Sequence, residues 1–151
     1  MAISAEAVKA LRDKTGISMM ECKKALEEAG GDEAAALEIL RARAGALAGK
    51  KADRALGAGT VAAYVHQGGQ VGAMVLLSCE TDFVSKNEEF IALARDIAMH
   101  ASAMRPANVE ELLGQEFIKD PSKKIADLVS EAVQKFGERT QVSAVSCLSV
   151  K

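Results

Sequence analysis

The chain has 151 residues, of which 49% are hydrophobic, with a net charge of −2 and three cysteines. So apolar a composition can bury a core and excludes a disordered chain, and the near-neutral charge excludes the broad basic face of a general nucleic-acid binder. No apolar run approaches the roughly 20 residues of a membrane span, residues 1–14 lack the apolar centre of a signal peptide, and Cys22, Cys79 and Cys147 lack the spacing of a disulfide framework or zinc site. The expectation is a cytosolic protein that contacts neither membrane nor nucleic acid directly.

Residues 1–45 punctuate themselves as three short helices. Ile3 and Val8 flank Ser4 with the spacing of a hydrophobic staple, Val8 and Leu11 share a face, and Gly16 supplies a left-handed stop. Ser18 to Glu21 has the form of a capping box. Cys22, Ala25, Leu26 and Ala29 line the inner face of the second helix, which ends at Gly30-Gly31. Met19 and Met20 lie about 100° apart on that helix, so one is expected in the core and the other exposed, an adaptable thioether contact for a partner. Asp32 can cap a third helix, with Ala36, Leu37, Leu40 and Ala44 inward and Gly45 at its end. Helices this short are marginal alone and need one another's apolar faces.

Residues 46–59 read as a basic helical linker broken by Gly57-Ala58-Gly59. From Arg41 to Arg54 five cations face one acid, which suits either a solvated helical face or a partner contact. Thr60 to His66 and Val71 to Cys79 are β-type runs around Gln67-Gly68-Gly69-Gln70, a hairpin whose glycines permit positive φ. Phe90, Leu93, Ala94, Ile97 and Ala101 then form a helical stripe that stops near Pro106, and Val109 to Leu113 suggests one or two further turns. Asp120-Pro121 reads as an N-cap followed by proline at the first helical position. Ile125, Leu128, Val129, Ala132, Val133 and Phe136 make the clearest amphipathic stripe, ended by Gly137, and Thr140 to Val150 alternates like a strand that rejoins the hairpin. The expected fold class is α+β: a three-helix module (1–45), the linker (46–59), and a core of a small three-stranded antiparallel sheet packed with helices (60–151).

Residues with catalytic chemistry are sparse. The glycine pairs do not form a phosphate loop. Glu80-Thr81-Asp82 offers too few oxygens for a hard cation. His66 ends a strand and His100 is expected on the helix flank beside the stripe, so both read as structural or surface groups, and only a pairing of either with Cys79 would make a nucleophile. No enzyme activity, metal or cofactor is expected. Thr81 or Asp82 reads as the cap of a helix beginning at Phe83, with Phe83 tucked into the core, or else as part of an exposed contact at the start of an element.

Two stretches carry a resemblance. Leu11-Arg12-Asp13-Lys14-Thr15-Gly16-Ile17-Ser18-Met19-Met20-Glu21-Cys22-Lys23-Lys24-Ala25-Leu26, and Gly69-Gln70-Val71-Gly72 through Cys79-Glu80-Thr81-Asp82-Phe83-Val84-Ser85-Lys86-Asn87, resemble the two signatures of the elongation factor Ts family. The resemblance extends over nearly the whole chain. It implies a UBA-like N-terminal domain that docks on elongation factor Tu, with Leu11, Arg12, Met19, Met20 and Lys23 at matching positions. It also implies that the Thr81-Asp82-Phe83-Val84 turn sits against the partner's magnesium and phosphate pocket, where Asp82 and Phe83 disturb the metal site and speed GDP release. Elongation factor Tu, GDP-bound or nucleotide-free, would then be the partner. Longer family members have two core halves, a coiled-coil insertion and a C-terminal module, without counterpart in these residues. Short members form homodimers through the C-terminal strand, which holds Cys147 and leaves room for an intersubunit contact or disulfide. The rival expectation is a UBA-like module that binds nascent-chain or ubiquitin-type partners without exchange activity. It accounts for residues 1–45 and leaves the Thr81–Val84 turn unexplained.

Overall fold

The computed structural model describes residues 2–151. In chain order the elements are α1 (Ala5–Thr15), α2 (Met19–Glu28), α3 (Glu33–Lys50), β1 (Ala58–Val65), β2 (Val71–Cys79), α4 (Asp82–Ser85), α5 (Glu88–Met104), α6 (Val109–Gly114), β3 (Glu116–Phe117), β4 (Asp120–Lys124), α7 (Ile125–Phe136) and β5 (Gln141–Ser149). The architecture is α+β.

The first three helices start where their caps are. Ser4 Oγ accepts from the Ala7 N–H at 3.1 Å, Ser18 Oγ from Glu21 at 3.3 Å, and Asp32 Oδ1 from Ala35 at 3.2 Å. At Ser18 only the hydroxyl half of the expected capping box forms. Glu21 instead turns its carboxylate to Arg43 of α3 at 3.1 Å. Val8, Leu11, Ile17, Cys22, Ala25, Leu26, Ala36 and Leu40 close one core between these helices.

α3 corrects the expected break at Gly45, because it runs without interruption to Lys50. A mid-helix glycine costs about 1 kcal/mol against alanine, but α3 packs on both α2 and α7, and that packing outweighs local propensity. The first part of the basic stretch therefore belongs to α3, and most of residues 46–59 stays exposed while several cations of the stretch find partners. Arg43 pairs with Glu21 and Glu28, Arg41 with Glu38, Lys51 Nζ donates to the Gly137 carbonyl at 2.6 Å, and Arg54 reaches Glu80 at 3.5 Å.

The sheet has the order β1-β2-β5, antiparallel throughout. Gly68 and Gly69, at φ 94° and 71°, make the hairpin turn, as the sequence pattern requires. Its inner face, with Ala62, Ala73, Val75, Leu77 and Val142, packs against the small side chains Ala94, Ala98 and Ala101 of α5. On the outer face, rows pair Val61 with Leu76 and Ala144, Ala63 with Met74 and Ser146, and Val65 with Gly72 and Leu148. Among the described residues no helix covers that face.

Two further expectations change. Asp120-Pro121 does not open a helix: Asp120 begins β4, directly after the Ile118-Lys119 turn, and its Oδ1 accepts from the Ser122 N–H (3.2 Å) and Oγ (2.6 Å) within that strand. Residues 122–124 are all polar, so the helix waits until Ile125, where the Asp127 carboxylate caps the Lys124 N–H at 2.9 Å. His100 lies fully inside the core instead of on the helix flank. Its Nδ1 accepts from the Ile118 N–H at 3.1 Å, so Nε2 carries the proton and donates to Gln115 Oε1 at 2.9 Å. Burial holds this imidazole below its ordinary pKa, with the Gln115 hydrogen bond opposing.

Candidate functional site

β2 ends at Cys79, and the chain turns at Glu80-Thr81 into α4, a single helical turn. Four residues cannot hold a helix by their own hydrogen bonds, so the turn must be held from outside. It is. Glu138, just beyond α7, accepts from the backbone N–H of Glu80 (3.1 Å) and Thr81 (3.0 Å) through Oε1 and from the Thr81 hydroxyl (2.6 Å) through Oε2. In return Glu80 Oε2 accepts from the Arg139 N–H at 2.5 Å. Arg139 donates through its guanidinium to the Arg54 carbonyl at 2.6 Å and to Gln141 at 2.8 Å. On the other flank the Thr60 hydroxyl donates to the Ser85 carbonyl at 2.8 Å.

Within this frame α4 buries Val84 and Ser85 and leaves Phe83 93% exposed. That overturns the expectation of a core phenylalanine. It also overturns the cap: no side chain caps α4, because the Thr81 hydroxyl is spent on Glu138. Thr81, Asp82 and Phe83 are all exposed, and Val84 anchors the turn from beneath.

Cys79 takes no part in nucleophile chemistry. Its Sγ donates to the Thr81 carbonyl at 3.3 Å, and burial, with the Glu138 charge adding to it, pushes the thiol pKa up. His66 bonds Tyr64 at 3.1 Å and His100 is engaged with Gln115 and Ile118, so neither histidine pairs with it. Among the described residues no cluster of three or more His, Cys, Asp or Glu could hold a metal ion, and no helix is long and apolar enough to cross a membrane.

A second exposed group lies at the start of α2. Met19 is 44% and Met20 66% exposed, so neither is the core residue that was expected of one of them. The core place is taken by Ile17, one residue before the Ser18 cap, and by Cys22. Arg12 and Lys23 are also exposed. Leu11 is not: it is completely buried between α1, α2 and α3, so its part is to pack the module that presents the methionines.

The sequence profile of the family described as Elongation factor TS matches residues 80–151, the stretch that begins at this turn. An elongation factor Ts from Thermodesulfovibrio yellowstonii is 41% identical over 186 aligned positions, covering 94% of this chain and 93% of that protein. The chain belongs to the elongation factor Ts family. A second elongation factor Ts, from Thermosipho melanesiensis, is 40% identical with 93% and 95% covered, and one from Clostridium acetobutylicum is 49% identical over 90% of this chain but only 44% of its own length. The first two alignments are longer than the 151 residues here, so those elongation factor Ts proteins carry residues that face none in this chain.

What sequence reasoning missed is the clamp. Glu138 and Arg139 follow Gly137 with no motif of their own, and they act on residues 57 to 59 positions away. The only local signal is the left-handed Gly137, φ 74°, which ends α7 and turns the chain toward β2.

Proposed function

We propose that this chain is a guanine-nucleotide exchange factor of translation elongation, which binds elongation factor Tu in its GDP-bound and nucleotide-free forms in the cytoplasm and promotes GDP release. The observation that carries this reading is Phe83: an aromatic ring almost wholly in water, on a turn hydrogen-bonded from three sides. Exposing such a ring forgoes the burial that a core position would give it, and large exposed aromatics on rigid supports are typical binding anchors. A UBA-like binder without exchange activity accounts for the N-terminal helices and leaves this turn unexplained.

In this reading the UBA-like N-terminal helices dock through Met19, Met20, Arg12 and Lys23, while Thr81, Asp82, Phe83 and Val84 bring the α+β core against the nucleotide pocket. The basic stretch from 46 to 59 is the splice between these two units. A GTPase holds its nucleotide through Mg²⁺ and contacts to the phosphates. Phe83 wedged beside those elements, with the Asp82 carboxylate near the metal, favours a partner conformation in which that coordination is poor. No cofactor is needed, and no covalent step occurs.

We further propose that a second copy of the chain covers the open sheet face. Val61, Val65, Met74 and Leu148 are exposed there, and no position of its three rows carries a charge. A charged partner would find no complement on such a surface, whereas a two-fold pairing sets the apolar rows against themselves.

The experiment that tests exchange is stopped-flow release of a fluorescent GDP from elongation factor Tu. The wild-type chain should accelerate release by orders of magnitude, and Phe83→Ala should lose most of that acceleration while keeping its melting temperature. A folded Phe83→Ala variant that releases GDP at the wild-type rate would end the wedge mechanism. Coupling between two ligands is reciprocal, so GDP must weaken binding of the chain by the same factor by which the chain weakens GDP binding, and Phe83→Ala should shrink both together.

A further inference from the structure

We propose that Glu138 is a positioning residue for exchange: it touches no partner and acts by holding the Glu80–Ser85 turn so that Phe83 is presented and not collapsed onto the surface. The proposal rests on the exchange reading above.

An exposed ring on a four-residue helix has two ready alternatives. It can fold back onto nearby apolar surface, or the turn can unwind, because so short a helix has almost no hydrogen bonds of its own to lose. Either would leave the ring in many places at once, and binding would then have to select the one that fits. The side chain that opposes this is Glu138. Its carboxylate takes two backbone N–H groups and one hydroxyl from consecutive residues, at 3.1, 3.0 and 2.6 Å, and hydrogen bonds to a charged acceptor are the stronger kind. Three bonds to adjacent residues fix the direction in which the chain leaves β2, and so the direction of Phe83 two residues later.

Glu138 is itself held. Gly137 is pinned by Lys51 through its carbonyl at 2.6 Å, and Arg139 is tied to Arg54 at 2.6 Å and to Glu80 at 2.5 Å. Lys51 and Arg54 follow the end of α3, the helix whose first half belongs to the methionine-bearing module. The residue that aims Phe83 is thus fastened just beyond α3, the helix on which the methionine-bearing α2 packs, which fixes the two proposed contact regions in one frame.

The test compares Glu138→Ala, Glu138→Gln and Thr81→Val in the full chain, with two readouts. The first is hydrogen exchange of the Glu80 and Thr81 amides in the chain alone. Glu138→Ala should expose both, and Glu138→Gln, which keeps one carbonyl acceptor, should restore part of the protection. Thr81→Val deletes only the hydroxyl bond and secures a folded protein should the alanine variant unfold. The second readout is GDP release against concentration of the chain. Loss of aim should lower the maximal rate about tenfold while the half-saturating concentration moves less than about threefold, since docking through α2 is untouched. A merely structural role would lower the melting temperature and leave the maximal rate of the folded protein intact. Wild-type amide protection in Glu138→Ala overturns the proposal, whatever Phe83 does. So does lost protection with an unchanged maximal rate in a system where Phe83→Ala is impaired. If Phe83→Ala itself is fully active, the exchange mechanism falls instead, and with it the claim that aiming Phe83 serves exchange.

Discussion

Met19 and Met20 allow docking to be separated from folding. The perturbation is the double change Met19→Ala and Met20→Ala, set beside Leu11→Ala. At 44% and 66% exposure the two methionines contribute little to the core, so the double variant should lose no more than about 0.5 kcal/mol of stability per site. Both side chains are unbranched thioethers, suited to an adaptable contact. Truncating exposed anchors of this kind costs about 1–2 kcal/mol each at an interface. Together they should weaken binding to elongation factor Tu by about 2–4 kcal/mol, roughly 30- to 1,000-fold. Leu11, at 0% exposure and with neighbours from three helices, behaves oppositely. Its truncation leaves a cavity and costs about 2.7–5 kcal/mol of stability, enough to melt a small helical unit. Calorimetric titration gives the affinity, a thermal melt gives the stability, and saturating concentrations of the methionine variant should recover most of the GDP-release rate. Unchanged affinity in the double variant would refute docking through α2. A Leu11→Ala protein that melts like wild type but binds weakly would show that Leu11 belongs to the contact surface and not to the core.

Leu148→Asp, at a position 77% exposed on the edge strand of the open sheet face, should convert a dimer into a monomer in sedimentation experiments, because it sets a charge in the apolar rows that two-fold pairing would bury; a wild-type monomer at high concentration removes the idea. Cys147→Ser should leave the dimer intact, since its thiol is half-buried, faces the Ala101 carbonyl at 3.6 Å, and has its pKa pushed up by burial. His100 predicts a pH dependence. Its folded-state pKa is lowered, so as pH falls below about 6.5 the unfolded chain binds the proton first and stability drops, by up to about 1.4 kcal/mol per pH unit until the folded pKa is reached. His100→Asn should be less stable at every pH but show a shallower slope below about pH 6.5; an unchanged slope would assign the titration elsewhere.

The sequence was most informative where local chemistry and tertiary packing agree. Ser4, Ser18 and Asp32 cap helices where their side-chain oxygens predict, Gly16 and Gly137 stop them, and the period-two and helical stripes of β1, β2, α5 and α7 face the core. It misled where one residue pair serves two uses. Asp120-Pro121 is as good a turn opener as a helix N-terminus, and only the polar run that follows distinguishes them. Gly45 looked like a stop because two helices waiting to pack on α3 leave no mark on α3 itself.

The candidate site shows the same division at finer grain. That Phe83 begins an element was readable; whether it enters the core or leaves it was not, since a helix of four residues has no periodicity from which to infer a face. The answer depends on which side of the turn is tied down, and the ties come from Thr60 and from Glu138, far along the chain on either side. Bury Val84 and Ser85, hold Thr81 from β5's approach, and the ring between them has nowhere to go but outward. The same reasoning separates Leu11 from Met20. Both stood in one matching stretch, but a residue shared by three helices is spent on packing, whereas Met20 at the start of α2 stays exposed.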